Sequence, residues 1–273
     1  MQIERQAFYE PQRIMEMVAE RVELIRKNGE EIDYLAFVPD GEPTLDMNLG
    51  RNITMLKPLG IPIAVITNGS LMADGRVRSD LEQADWVSLK VDAVNEVTWR
   101  KVDRPHRRLN LSKILEGMQR FSTSYKGKLV TETMLIKDLN DSPEEASAIS
   151  KFIAELNPQT AYLSIPTRPP AEYNILPTVP TRMNQIYQIF SGRLGQVELL
   201  TGYEGNQFSA TGDLKSDILS ITSVHPMRRD AIDKMVKKNE AGNRILEELL
   251  ISGKLVETEF CGYKYYLRNF NSH

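Results

Sequence analysis

LAFVPDGEPTL, residues 35–45, carries an apolar strand straight into Asp40, Gly41, Glu42 and Pro43. It reads as a buried strand that ends at the rim of a binding site, with two carboxylates placed to hold something cationic at its tip. Five further apolar runs repeat the strand signal: IAVIT (63–67), WVSLKV (86–91), LVTETMLI (129–136), AYLSI (161–165) and VELLT (197–201). Between them lie helical stretches at about 48–59, 74–84, 94–102, 110–124, 142–156 and 178–194. An earlier helix is expected over 11–28, with Pro11 in its first turn and Gly29 at its end. Asp141-Ser142-Pro143-Glu144 is a helix-opening signal, a cap followed by proline in the first turn. Strands alternating with helices predict an α/β fold with a parallel sheet, doubly wound or closing toward a barrel.

After about residue 206 the pattern changes. Residues 213–224, 227–238 and 239–253 predict three short helices, and LVETEF and YKYYLR flank Cys261-Gly262 as a hairpin would. Three helices and a hairpin outline a winged helix. The polar NQFSATG (206–212) marks the junction, so the expected domains are 1–205 and 206–273.

Composition narrows the classes. At 273 residues and 41% hydrophobic, the chain can hold one large α/β domain and a small appendage. A net charge of −3 and a pI near 5.8 give no global attraction to nucleic acid or anionic lipid. The single cysteine, Cys261, excludes an internal disulfide and any cysteine cluster within this sequence. The charged N-terminus is wrong for a secretory signal, and no apolar run approaches the ~18 residues of a membrane helix. A cytoplasmic protein without membrane contact is expected.

In parallel α/β proteins ligands bind at the carboxyl ends of the strands. Those ends carry Asp40, Gly41, Glu42 and Pro43, then Thr67-Asn68-Gly69-Ser70, then Ser88, Lys90 and Asp92. Glu132 and Met134 follow, and Ser164, Thr167 and Arg168 close the series. Each has a plainer reading. Gly41 and Pro43 suit a tight turn, Asn68-Gly69 is a common turn dipeptide, and Lys90 and Asp92 at i and i+2 could be a simple salt bridge. Arg104-Pro105-His106 lies in a loop, Glu132 could protect a sheet edge, and Trp86 and Trp99 read as packing. Together these residues describe a cofactor pocket without naming a reaction.

FVPDGEPTLDMNLG, AVITNGSL, VSLKVDAVNEVTWRKVDRPH, IKDLND and IPTRPPAE resemble, in order and spacing, a radical S-adenosylmethionine (radical SAM) family over about residues 1–200. The resemblance implies a partial (β/α)6, TIM-like barrel. It implies that the Gly41-Glu42-Pro43 strip, with Asp40, holds the methionine ammonium of S-adenosylmethionine. Asn68, Ser88 and Asp92, or alternatively Lys90, would lie near the ribose or methionine carboxylate. Glu132 and Met134 would lie along the cofactor groove, and Arg104, His106 and Arg168 on the substrate side. The family also uses a [4Fe–4S] cluster on three cysteines, usually C-x₃-C-x₂-C, to reduce the cofactor and release a 5′-deoxyadenosyl radical. That motif is absent, so no metal ligands are assigned. Two readings follow: a truncated radical SAM enzyme lacking its first strand and cluster loop, or a cluster-free module binding S-adenosylmethionine, another nucleotide or a protein.

The tail holds ten Lys or Arg against nine Asp or Glu over 207–273, a net of +1. Glu247 and Glu248 sit beside Arg244 on the presumed recognition helix, where they would repel phosphates. The expected partner of the tail is therefore a protein or a presented substrate rather than DNA. The substrate itself is not readable.

Overall fold

The computed structural model describes residues 2–38, 41–170, 175–201, 213–224, 226–237 and 242–269. Six strands form one sheet: β1 (Leu35–Phe37), β2 (Ile63–Thr67), β3 (Trp86–Lys90), β4 (Lys128–Met134), β5 (Thr160–Ser164) and β6 (Val197–Leu200). All neighbours are parallel, and the spatial order follows the chain from β1 to β6. A doubly wound sheet reverses its strand order at a switch point, whereas sequential order belongs to a barrel. The architecture is thus an α/β partial TIM-like barrel, with β1 and β6 at the two edges of the sheet.

The helices are α1 (Pro11–Lys27), α2 (Leu49–Leu56), α3 (Gly75–Leu81), α4 (Glu96–Val102), α5 (Leu111–Ser124), α6 (Pro143–Leu156) and α7 (Pro180–Ser191). Local chemistry sets their ends. The Ser142 hydroxyl accepts the Glu145 N–H at the start of α6, Pro143 occupies the first turn, and Asn157 closes the helix in the left-handed region. Ile63, Val65, Val87, Leu89 and Leu163 are wholly buried because helices and side chains cover the strands on both faces. Burying each contributes about 1.5–3 kcal/mol. The register sets Thr67 beside Leu89, Lys90 beside Glu132 and Met134 beside Ser164, so the polar strand ends share one rim.

The chain divides into two compact units, Met1–Ile165 with Leu176–Leu200, and Pro166–Ile175 with Thr201–His273. The second contains α8 (Leu214–Val224), α9 (Arg229–Lys237) and α10 (Gly242–Ile251). It also contains a sheet ordered β7-β9-β8, made of β7 (Met227–Arg228), β8 (Leu255–Phe260) and β9 (Tyr263–Arg268). Pairing is antiparallel, and Cys261 and Gly262 make the turn in the left-handed region. Its core joins Ile218, Met227, Ile232, Leu249, Leu255 and Tyr266. Tyr265 Oη donates to the Thr167 carbonyl at 2.7 Å, which ties the chain around Thr167 to this unit.

Candidate functional site

A cavity of about 890 Å³ opens in the first unit at the carboxyl ends of β1, β2 and β3. Its apolar wall includes Phe37, Trp99, Leu111, Ile114 and Met118, and its polar wall comes from two loops of different construction.

The first loop follows β1. Gly41 has φ +147°, a conformation that side chains rarely adopt, and the chain then enters a short 3-10 turn over Pro43–Leu45. Glu42 caps that turn and is 8% exposed. Its Oε1 accepts the Thr44 N–H at 3.0 Å, the Thr44 hydroxyl at 2.7 Å and the Thr67 hydroxyl at 2.5 Å. Its Oε2 accepts the Asn68 N–H at 2.8 Å. Thr67 Oγ1 in turn accepts the Gly69 N–H at 3.0 Å, and Asn68 Oδ1 accepts that of Ser70 at 2.9 Å. Gly69 sits at φ +69° between them. Four internal donors hold the Glu42 carboxylate, which clasps the ends of β1 and β2 together. Oε1 takes three of these donors and Oε2 only one, which leaves a lone pair open on Oε2.

Asp46 lies further along the same loop. Its oxygens accept the Asn48 N–H at 2.8 Å and the Asn52 side-chain amide at 3.1 Å. Arg5 donates to the Asp46 carbonyl at 2.7 Å and pairs with Asp80.

The second loop follows β3. Lys90 Nζ lies 3.4 Å from Asp92 Oδ2, and Asp92 Oδ1 accepts the Met134 N–H at 2.7 Å. Asp103, in the residue after α4, lines the same cavity as Asp92, whose charge acts on it. Asn140 fixes this corner: its amide donates to the Asp92 and Met134 carbonyls at 2.9 and 2.8 Å and accepts the Ile136 N–H at 2.8 Å. Burial above all, then the neighbouring Asp92, pushes the Asp103 carboxyl up to about 8. Burial also raises Asp92, against the pull of Lys90. Lys90 is raised mainly by Asp92, with Glu132 and Asp103 adding to it.

Of the residues singled out from sequence, Gly41, Glu42, Pro43, Asn68, Lys90 and Asp92 line the cavity. Asp40 falls outside the described residues. Ser88, two residues before Lys90 on the same strand face, is 3% exposed and lies below the cavity wall. Glu132 faces Lys90 across the ladder and accepts the Ser164 hydroxyl at 2.8 Å, also off the wall. Met134 enters the site through its backbone N–H rather than its thioether. Arg104 is exposed at φ +48°, and His106 Nδ1 accepts the Arg108 N–H at 3.2 Å within its own loop. Neither lines the cavity; Asp103 and Pro105 do. Arg168 belongs to the second unit. Asp46, Asn52 and Asp103 are additions that the sequence reading missed, and Trp99 packs in the core while also forming cavity wall.

The residues present do not fit an iron–sulfur cluster. Cys261 is the one cysteine of the sequence, exposed in the hairpin of the second unit. Among the described residues no group of three His, Cys, Asp or Glu is placed to hold a metal ion.

A family model described as the radical SAM superfamily matches residues 3–148. The UPF0026 protein of Methanocaldococcus jannaschii is 43% identical over 272 residues, 99% of this chain and 84% of that protein. Among solved structures, a radical SAM methyltransferase from Sphaerobacter thermophilus aligns with TM-score 0.54 at 15% identity, covering 70% of this chain and 57% of that one. SuiB of Streptococcus suis bound to S-adenosylmethionine aligns with TM-score 0.52 at 12% identity, over 71% of this chain and 46% of that one. At such identities these two likenesses speak to fold alone.

Proposed function

This chain belongs to the radical SAM superfamily and to its UPF0026 members, and we propose that the cavity at the ends of β1, β2 and β3 binds S-adenosylmethionine. The observation that carries the reading is one chamber of about 890 Å³ that combines an apolar wall with Lys90, Asp92 and the clasped Glu42 loop. Such a chamber suits a ligand with a flat apolar base, a carboxylate and cationic groups. The remaining acceptor site on Glu42 Oε2 would take a hydrogen bond from the ligand ammonium. Lys90, with its side chain about one-third exposed beside Asp92, would meet the ligand carboxylate. Trp99, Leu111 and Met118 would keep water from the apolar base.

S-Adenosylmethionine supplies a 5′-deoxyadenosyl radical only when a [4Fe–4S] cluster delivers an electron to it. With one cysteine among its 273 residues, the sequence holds no three-cysteine set, and the role of its own side chains is to bind and orient the cofactor. In a full-length form carrying such a set, the protein would act as a radical SAM enzyme on an unidentified substrate. A second reading, a cluster-free binding module, is favoured by that same cysteine count. The second unit we read as a winged-helix-like module for a protein partner, since its charges nearly cancel.

Titration calorimetry on the purified, iron-free chain tests both readings. Saturable binding of S-adenosylmethionine is expected, weakened about tenfold or more by Lys90→Ala. No 5′-deoxyadenosine should form when dithionite is added. Absence of binding up to about 1 mM ligand would refute the assignment.

A further inference from the structure

The large sheet has two unlike faces. Val87, Leu89, Leu129 and Leu163 point one way, into the core that they share with the helices. On β3, β4 and β5 every residue that is not buried points the other way: Trp86 and Lys90, then Lys128, Glu132 and Met134, then Tyr162. The register sets Lys90 beside Glu132, Glu132 beside Tyr162 and Tyr162 beside Glu198. These four side chains form one row across β3, β4, β5 and β6. In a closed barrel an interior row of this kind is filled by bulky apolar side chains. Here the row is polar throughout, which packing does not require.

Its charges do not cancel. Lys90 Nζ is already met by Asp92 Oδ2 at 3.4 Å. Lys128 lies four residues down β4 from Glu132, about 13 Å away along the strand. Glu132 Oε1 accepts the Ser164 hydroxyl at 2.8 Å, and Glu198 Oε1 accepts the Gln196 side-chain amide at 2.6 Å. Both donors are neutral, and among the described residues no ion pair reaches either carboxylate. Ser88 is an independent sign that a partner is missing. It is 3% exposed on the same face, one row below Lys90, and among the described residues no hydrogen bond involves its hydroxyl. A polar side chain so deeply buried is ordinarily hydrogen-bonded.

Tyr162 is the part-exposed member of β5 and stands between the two glutamates. With parallel strands ~4.8 Å apart, Glu132 and Glu198 flank it about 10 Å from each other. An aromatic ring with a carboxylate on either side suits an organic cation: the ring face attracts the charge and the carboxylates accept its hydrogen bonds.

We propose that Glu132, Tyr162 and Glu198 form a subsite for the ammonium or guanidinium group of a substrate, bordering the cofactor chamber at Lys90. The word substrate rests on the S-adenosylmethionine reading of that chamber; the cation site stands on its own three residues. The substrate class is therefore an amine or a guanidine, and Ser88 is placed to meet a further polar atom of the same molecule.

Benzylamine, benzyl alcohol and benzoate share a ring and differ in charge, which makes them a matched set of probes. The full chain is labelled with carbon-13 at the methionine methyls. Met134, on the same face next to Glu132, reports occupancy, its signal being identified with Met134→Leu. Benzylamine should saturate with a Kd of about 1–10 mM, as so small a ligand allows. The alcohol and the acid should bind about fivefold more weakly or not at all. Glu132→Gln and Glu198→Gln should each weaken benzylamine about fivefold while melting close to the wild type. Tyr162→Phe should keep the affinity and Tyr162→Leu should lower it, since the ring face rather than the hydroxyl meets the cation.

Equal binding of the three probes, or benzylamine affinity unmoved by both glutamine variants, overturns the proposal. Repeating the titration in saturating S-adenosylmethionine separates the subsite from the cofactor reading. Benzylamine that still binds is the expected result. Competition between the two would give the row to the cofactor and overturn the substrate assignment. If S-adenosylmethionine fails to bind while benzylamine binds and responds to the variants, the cofactor reading falls and the cation site stands. If S-adenosylmethionine binds and benzylamine does not, the subsite falls alone.

Discussion

The loops after β1 and β3 each bury a carboxylate beside the same cavity, and they treat it in opposite ways. Glu42 collects four hydrogen-bond donors from its own loop and from the end of β2. Asp92 has one backbone N–H, one lysine and a second carboxyl group. The first arrangement spreads a fixed charge over fixed dipoles and changes little when a ligand arrives. The second leaves the charge unbalanced, so its protonation must answer to whatever enters. One loop is built to hold shape and the other to respond.

The difference is sharpest if the fixed side is broken. Glu42→Ala leaves the Thr44 and Asn68 N–H groups and two hydroxyls without their acceptor in a closed setting. At ~1–3 kcal/mol for each buried group left unsatisfied, and with partial recovery by water, the loss should be about 4 kcal/mol. The apparent melting temperature should fall by about 8–16 °C. Glu42→Gln should recover part of the loss, because its amide oxygen can still accept the three donors on Oε1 while its amide nitrogen cannot accept the Asn68 N–H. A Glu42→Ala protein that melts like the wild type but has lost its ligand would make ligand binding the main role of Glu42 and erase the contrast between the loops.

How far the sequence showed this contrast differs between the two loops. Strand positions were readable to within a residue or two, because apolar runs bounded by turn residues admit few alternatives. The spatial order of the strands was not, since a barrel and a doubly wound sheet share the same alternation of elements. Glu42 was visible from its glycine and proline neighbours. Its four donors were not, because Thr67 and Asn68 reach it only once β1 and β2 lie side by side. Asp103 was passed over for Arg104 and His106, which look better suited to an anionic ligand. The left-handed backbone at Arg104 turns the chain outward immediately after Asp103, leaving the arginine exposed and the aspartate facing the cavity. Asn140 stands within IKDLND with no role legible from sequence, since its three partners come from the ends of β3 and β4.

A single bond of the clasp can be cut more gently. Thr67→Val keeps the shape and β-propensity of the side chain but removes the 2.5 Å donor to Glu42 and the acceptor for the Gly69 N–H. Hydrogen bonds to charged groups contribute ~1.5–3 kcal/mol, so the expected cost is about 2 kcal/mol in denaturant unfolding. An unchanged unfolding midpoint would mean that the three remaining donors hold Glu42 without Thr67.

The smallest effect tests the responsive side and has a definite sign. An aspartate titrates near 3.9 in the unfolded chain, while folded Asp103 is pushed up to about 8. Between those values the native state keeps a proton that the unfolded state has released, so this group's contribution to stability falls as pH rises and levels off above about 8. Asp103→Asn removes that slope, because its amide does not ionise. The variant should therefore melt close to the wild type at pH 4 and progressively above it as pH rises. The gap should reach about 2–4 °C at pH 8, taking on the order of 1 kcal/mol for a coupled pair that relaxes in part. A gap that is constant across pH would assign the change to packing alone. A gap that widens toward acid would reverse the sign, placing the retained proton on a group other than Asp103.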